Sequence, residues 1–129
     1  MNAALVDAVR AVRPDVQAIY RFGSTLTEYV RPDSDLDAAL LLPTPLSYDE
    51  QIRLFSEGSA AARRDLDIMD LGQAGPVAHF QVLHEGRPIY TADQVAVDAF
   101  EMRALREYQD YKIRRRPIEA HHLQFGFAA

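Results

Sequence analysis

The sequence predicts an α/β (α+β) fold in which a small mixed sheet is flanked by helices. Strand-like runs alternate with helical patterns along the chain, and turn-forming residues separate most of them. Hydrophobic residues make up 48% of the 129 residues, which is enough to build a core. A chain of this length corresponds to one domain, so we expect a single domain over residues 1–129.

The first third of the chain contains the patterns of one helix and two strands. Apolar residues recur with helical spacing over residues 2–12, and Pro14 ends that helix. An aromatic-rich run predicts the first strand over residues 16–22. The apolar run that ends at Leu42 predicts the second strand over residues 35–42.

The middle of the chain predicts a capped helix followed by a third strand. Ser47 and Glu50 have the spacing of a capping box, which marks the start of the helix. Its face toward the sheet is predicted to contain Ile52, Phe55, Ser59 and Ala62. Residues 65–71 predict the third strand, in which Asp65, Asp67 and Met69 share one face and Asp70 lies on the other.

The segment after the third strand predicts a short helix and a short extended piece. Pro76 suits the first position of a helix and Gly86 suits its end, with Val77, Phe80 and either Leu83 or His84 on one face. His79 and His84 are five residues apart, so they do not stack on one helix face as metal ligands do, and we expect surface or packing roles. Residues 87–90 predict the extended piece.

The C-terminal part of the chain predicts one long helix and a tail. The helix is expected over residues 93–115, and its apolar stripe contains Val97, Phe100, Ala104, Leu105, Tyr108 and Tyr111. We expect the tail over residues 117–129 to be either flexible or docked on a partner.

Composition and charge exclude several classes of protein. The chain has no cysteine, so it has no disulfide framework and no thiolate ligand or nucleophile. Its net charge of −5 argues against non-specific nucleic-acid binding. No apolar run approaches the roughly 18 residues of a membrane span, and no signal-peptide pattern is present. We therefore expect a cytoplasmic protein without a membrane partner.

Asp35 and Asp37 stand at the start of the second predicted strand. Side chains at positions i and i+2 of a strand point to the same face, so the two carboxylates project together. Two such charges roughly 4 Å apart repel each other by about 4 kcal/mol at an effective dielectric constant near 20. A divalent cation is the usual way to offset this repulsion, and oxygen ligands favour Mg²⁺ or Mn²⁺ over zinc.

A tight Gly-Ser turn precedes this pair of acids. Gly23 and Ser24 follow the first predicted strand, and ten residues separate Ser24 from Asp35. A small turn lets backbone N–H groups and a hydroxyl approach a phosphate closely. The next strand then brings the carboxylates alongside.

The pattern of Gly23-Ser24, ten residues and Asp35-Leu36-Asp37 resembles the signature of the DNA polymerase β-like nucleotidyltransferase superfamily. The resemblance implies that Gly23 and Ser24 hold a triphosphate and that Asp35 and Asp37 are catalytic metal ligands. It also implies a third carboxylate on a neighbouring strand. Asp67 is predicted to be this ligand, since Asp65 lies nearer the end of the strand and Asp70 points the other way.

The segment FQVLHEGRPIY and the long helix after it are similar to a narrower group, the minimal nucleotidyltransferase (MNT) antitoxins of HEPN–MNT toxin–antitoxin pairs. This resemblance implies transfer of AMP from ATP to a tyrosine of a cognate HEPN ribonuclease toxin. It further implies two Mg²⁺ ions as cofactors, ATP as a substrate, and the toxin as the protein partner.

Two other functions are compatible with the same residues. One is a nucleotidyltransferase that acts on a small molecule such as an aminoglycoside and needs no protein partner. Alternatively, the chain neutralises a toxin by contact alone, and the acids are then a remnant or a nucleotide-sensing site.

Overall fold

The computed structural model describes residues 2–22 and 35–124, with side chains described up to residue 114. Helices and strands alternate as predicted, and their bounds are α1 (Asn2–Val12), β1 (Ala18–Phe22), β2 (Leu36–Leu41), α2 (Tyr48–Ala62), β3 (Leu66–Asp70), α3 (Pro76–Glu85), β4 (Arg87–Thr91) and α4 (Gln94–Gln124). The first three strands are shorter than predicted by one or two residues at most of their ends. Among the described residues, no helix is both long and apolar enough to cross a bilayer.

The strands form one mixed sheet in the order β3-β2-β1-β4. β1 pairs antiparallel with both β2 and β4, whereas β2 and β3 run parallel. The α1 and α2 helices contact each other on one face of the sheet, and α3 and α4 contact each other on the opposite face. This arrangement confirms the predicted small mixed sheet flanked by helices.

The central strand β2 is buried on both faces. Its residues Leu36, Ala38 and Leu40 belong to the core under α1 and α2, and Ala39 and Leu41 belong to the core under α3 and α4. A strand covered on both sides is expected to be almost continuously apolar, which matches the sequence from Leu36 onward with one exception, Asp37.

The predicted buried face of α2 needs correction, although Ala62 is buried as predicted. The capping box of Ser47 and Glu50 is present, but the residues buried against the sheet are Leu54, Gly58 and Ala62. Ile52 and Phe55 are 51% and 52% exposed. Gly58 explains the choice of face, since a Cβ there would lie 2.3 Å from Cδ2 of Leu66, so its absence lets α2 approach β3 closely.

The predicted face of α3 also needs correction. His79 and Val82 are the buried residues, whereas Val77 is exposed. Phe80 turns toward α4 instead, where its ring stacks on Tyr108 with 3.9 Å between centroids. The α3 helix therefore packs against both the sheet and α4. The spacing of apolar residues predicted only one buried face, so it could not describe both contacts.

α4 begins one residue later than predicted and ends later. Val97, Phe100 and Ala104 are buried as expected, but Leu105 is 46% exposed. The helix continues past Pro117 to Gln124 instead of ending at residue 115. A proline removes one backbone hydrogen bond and disfavours a helix interior without always ending it, and good helix formers such as Glu119 and Ala120 follow it here.

The corrected face of α2 predicts contrasting effects of two substitutions. We expect Leu54→Ala to lower the free energy of unfolding by about 2–5 kcal/mol, because it opens a cavity in the core. Phe55→Ser, one residue along, should change it by no more than about 0.5 kcal/mol, as surface substitutions usually do. Urea unfolding of both variants checks the assignment, and a larger loss for Phe55→Ser would show that the other face of α2 is buried.

Candidate active site

Parallel pairing of β2 and β3 places two of the predicted site residues side by side. Asp37 is the second residue of β2, Asp67 is the second residue of β3, and the two are register partners. Their neighbours Leu36 and Leu66 belong to the core under α1 and α2. Since side chains alternate along a strand, Asp37 and Asp67 both face the opposite side of the sheet, toward α3 and α4.

Asp35 lies immediately before β2 and is exposed. It precedes Asp37 by two residues, and its charge acts on Asp37. The structure therefore brings the acids Asp35, Asp37 and Asp67 to one edge of the sheet. The predicted phosphate-binding residues Gly23 and Ser24 lie outside the described residues.

The pKa of Asp37 is raised above its ordinary value. Partial burial is the largest cause, followed by the negative charges of Asp67 and then Asp35. Each of these effects disfavours the ionised carboxylate. The fold thus concentrates negative charge at Asp37, and a bound cation would relieve the repulsion.

Asp37 and Asp67 line an open pocket of about 380 Å³. Among the described residues, the others that line it are Phe22 from β1, Ile68 and Met69 from β3, and Gln81 from α3. This volume lies within the range of typical small-molecule sites, roughly 300–1,000 Å³. The acids therefore face a space that a reactant can enter.

The donor set suits a hard divalent cation, although it does not enclose one. In the part of the chain that the structure describes, no three His, Cys, Asp or Glu side chains are gathered closely enough to hold a metal ion by themselves. Mg²⁺ is usually bound through one or two carboxylates, with waters and substrate phosphates as the other ligands. Paired carboxylates at an open pocket fit that mode, so Asp35, Asp37 and Asp67 stay predicted ligands.

The remaining acids of β3 have other surroundings. One carboxylate oxygen of Asp70 accepts a hydrogen bond from the backbone N–H of Leu46 at 2.9 Å, and the other accepts one from the N–H of Gly72 at 3.0 Å. Asp70 therefore joins the two loops that follow β2 and β3 and caps the end of β3. Asp65 is exposed before the strand begins.

The two histidines have the packing and surface positions that were expected. His79 is buried, its Nδ1 lies 3.1 Å from Glu107, and its Nε2 contacts the carbonyl oxygen of Leu71. Its ring also meets the edge of Phe100. His84 is exposed and stacks on Phe80.

Sequence reasoning missed the neutral part of the pocket lining. Met69 was placed on the same strand face as Asp67, but nothing in the strand pattern showed that this face opens onto a pocket. Gln81 carries no local signal at all, because only the packing of α3 over the sheet brings it to the acids.

Comparison with known proteins places this geometry in a family. The sequence profile described as "Polymerase beta, Nucleotidyltransferase" matches residues 7–95, which include all four residues Asp35, Asp37, Asp67 and Gln81. The chain belongs to the polymerase β nucleotidyltransferase family.

Relatives within this nucleotidyltransferase family include a characterised antitoxin system. The chain is 27% identical to the protein adenylyltransferase MntA of Shewanella oneidensis over 114 residues, which cover 88% of this chain and 81% of MntA. It is also similar to a chain of a toxin–antitoxin crystal structure with AMP-PNP, with a TM-score of 0.82, 26% identity, and coverage of 95% and 98% of the two chains.

A third relative shows the same fold. It is a chain from the structure of a tri-AMPylated Shewanella oneidensis HEPN toxin in complex with MNT antitoxin, with a TM-score of 0.78 and 24% identity. The match covers 95% of each chain. The nucleotidyltransferase fold therefore extends over nearly the whole chain, including most of α4.

The raised pKa of Asp37 predicts that removing its charge stabilises the metal-free protein. An unfolded aspartate has a pKa of about 3.9. Since folding raises this pKa, the ionised carboxylate costs stability at neutral pH, and the cost disappears as the pH falls below both values. We expect Asp37→Asn to have a higher urea midpoint than the wild type at neutral pH in EDTA, with the difference vanishing below about pH 4.

Asp110→Asn is a suitable control, because it removes an exposed carboxylate from α4, away from the paired acids. Its urea midpoint should stay close to that of the wild type. A lower midpoint for Asp37→Asn at neutral pH would show that the folded state favours the charge.

Proposed function

We propose that this nucleotidyltransferase is an antitoxin that transfers AMP from ATP to a tyrosine of a cognate HEPN ribonuclease toxin and so neutralises it. The observation that carries the proposal is the pairing of Asp37 with Asp67 at an open pocket. Its support from relatives is the adenylyltransferase MntA and the toxin–antitoxin structure with AMP-PNP. The proposal also places the protein in the cytoplasm, where it would meet ATP and the toxin.

In this proposal, Asp35, Asp37 and Asp67 would hold two Mg²⁺ ions. Such ions neutralise charge on the transferring phosphate and the leaving pyrophosphate and lower the pKa of a bound hydroxyl. An acidic chain can then bind a polyanion, because the ions supply most of the positive charge at the site. Gly23 and Ser24 are proposed to hold the triphosphate through backbone N–H groups and a hydroxyl.

The chemical step is a displacement at the α-phosphorus of ATP. The acceptor hydroxyl oxygen forms a bond to that phosphorus, and the bond from phosphorus to the oxygen bridging toward the β-phosphate breaks. Pyrophosphate leaves with the electron pair. Asp67 is proposed to accept the hydroxyl proton, because it is more exposed than Asp37 and lies on the same pocket.

The proposal predicts AMP addition that depends on the paired acids. Incubating the toxin with this chain, ATP and Mg²⁺ should add the mass of AMP to the toxin, measured by intact-mass spectrometry. The Asp35→Ala, Asp37→Ala double variant should lose at least about 100-fold in rate, the usual scale for losing a group that stabilises transition-state charge.

The outcome of this experiment also separates the alternative functions. A stable complex without added mass would make the chain a binding-type antitoxin. Transfer of AMP to an aminoglycoside but not to the toxin would make it a small-molecule enzyme.

The choice of the third carboxylate is tested by a matched pair of variants. Asp67→Asn and Asp65→Asn remove neighbouring acids of the same segment, but only Asp67 lines the pocket. We expect Asp67→Asn to lower the rate by at least about 100-fold, whereas Asp65→Asn should stay within about threefold of the wild type. The reverse order would move the third ligand to Asp65.

Dependence on Mg²⁺ is predicted separately from the reaction. Adding Mg²⁺ with AMP-PNP should raise the melting temperature of the wild type, because a ligand that binds only the folded state stabilises it. The Asp35→Ala, Asp37→Ala variant should show a much smaller rise. Equal rises in both proteins would mean that the ion and nucleotide do not bind at these acids.

A further inference from the structure

The pocket beside Asp37 and Asp67 has an acidic side and a largely apolar side. Asp37 and Asp67 form its acidic side, whereas Phe22, Ile68 and Met69 supply apolar surface. Gln81 is the one neutral polar side chain among the described residues that line it. The pocket is therefore suited to a reactant that is charged at one end and flat and largely apolar at the other.

The strand register orders these residues along the pocket. Phe22 is the register partner of Asp37 on β1, so it lies beside the acids. Met69 follows Asp67 by two residues and shares its face, where it packs against the core under α3 and α4. The acids and Met69 thus lie on one face of the sheet at the pocket, and Gln81 lines the same pocket from α3.

Gln81 is exposed, while its neighbour Val82 is fully buried. Val82 fixes this turn of α3 against the sheet, so the backbone that carries Gln81 is held in place. Within the described part of the chain, the Gln81 carboxamide makes no hydrogen bond. Its donor and acceptor atoms are therefore available to a molecule in the pocket.

We propose that Gln81 and Met69 form a ring-binding subsite in which Met69 packs on a flat aromatic ring and the Gln81 carboxamide reads the polar edge of that ring. The inference rests on the proposed function, which places the α-phosphate at the acids. A carboxamide can donate and accept at once, which suits a ring edge that carries both kinds of group. A thioether makes favourable contacts with aromatic rings.

Two reactants of the proposed reaction carry a ring of this kind. One is the adenine base of ATP, whose edge has both a donor and acceptors. The other is the phenol of the acceptor tyrosine, which has one hydroxyl. The phenol oxygen bonds directly to the α-phosphorus, and the adenine is joined to it through the ribose, so a subsite beside the acids can be filled by either ring.

The subsite is tested with Gln81→Leu, which keeps the approximate size of the side chain and removes its polar atoms. Gln109→Leu is the matched control, because it makes the same change at an exposed position of α4 that does not line the pocket. For each protein, the dissociation constants of AMP-PNP and GMP-PNP with Mg²⁺ are measured by calorimetry. The KM for the toxin is measured by intact mass.

If the ring is adenine, Gln81→Leu should weaken AMP-PNP binding by about 10-fold and reduce the preference for AMP-PNP over GMP-PNP. If the ring is the acceptor phenol, nucleotide binding should stay unchanged and the KM for the toxin should rise by about 10-fold. In either case Met69→Ala should weaken the same reactant, and Gln109→Leu should match the wild type.

The subsite is overturned if Gln81→Leu leaves both nucleotide constants and the KM within about twofold of the control. That result can occur while the wild type transfers AMP normally, so it would not affect the proposed function. Conversely, a wild type that binds AMP-PNP but transfers no AMP rejects the proposed function, and the nucleotide measurements then decide the subsite alone. A wild type that binds neither reactant rejects both.

Discussion

The site depends on the parallel pairing of β2 with β3. In this register Leu36 lies beside Leu66 on the face covered by α1 and α2, and Asp37 lies beside Asp67 on the other face. A shift of one residue would turn Asp67 into the core and Leu66 out to solvent. The hydrophobic pairing that stabilises the sheet therefore also forces two carboxylates together, and the repulsion between them is built into the fold.

Contacts elsewhere in the molecule stabilise the pairing of β2 with β3 despite the repulsion between Asp37 and Asp67. Gly58 allows α2 to lie close over Leu66, and the hydroxyl of Ser59 accepts a hydrogen bond from the N–H of Leu66 at 2.9 Å. Buried Arg13, at the end of α1, donates hydrogen bonds to Thr44 in the loop before α2 at 2.8 Å and to Glu50 in the first turn of α2 at 3.4 Å. The start of β3 is thus fixed by packing and hydrogen bonds that do not involve the acids.

Alternation in strands and the buried stripe of α4 were predictable from sequence, but the buried faces of α2 and α3 were not. The period of two placed Asp67 and Met69 on one face and Asp70 on the other, and no second period competed with it. α2 instead carries two apolar rows, and only contact with Leu66 selected the row that contains Gly58. The approach of Asp37 to Asp67 needed the strand order and register, and Gln81 needed the packing of α3, neither of which a local pattern encodes.

The same electrostatics link the stability of this protein to its chemistry. Burial and two neighbouring acids raise the pKa of Asp37, so a proton and a cation compete for the same carboxylate. Either one would relieve the repulsion, but in the proposed function only a divalent cation would leave the site able to bind phosphate. Because the chain carries a net charge of −5, its own electric field would attract ATP only weakly, and the proposed function therefore needs an ion that reverses the charge at the site. In the proposed function, nucleotide and metal should therefore bind together and each should have low affinity alone. The described residues offer the ion no closed set of ligands, and the triphosphate would otherwise face the carboxylates.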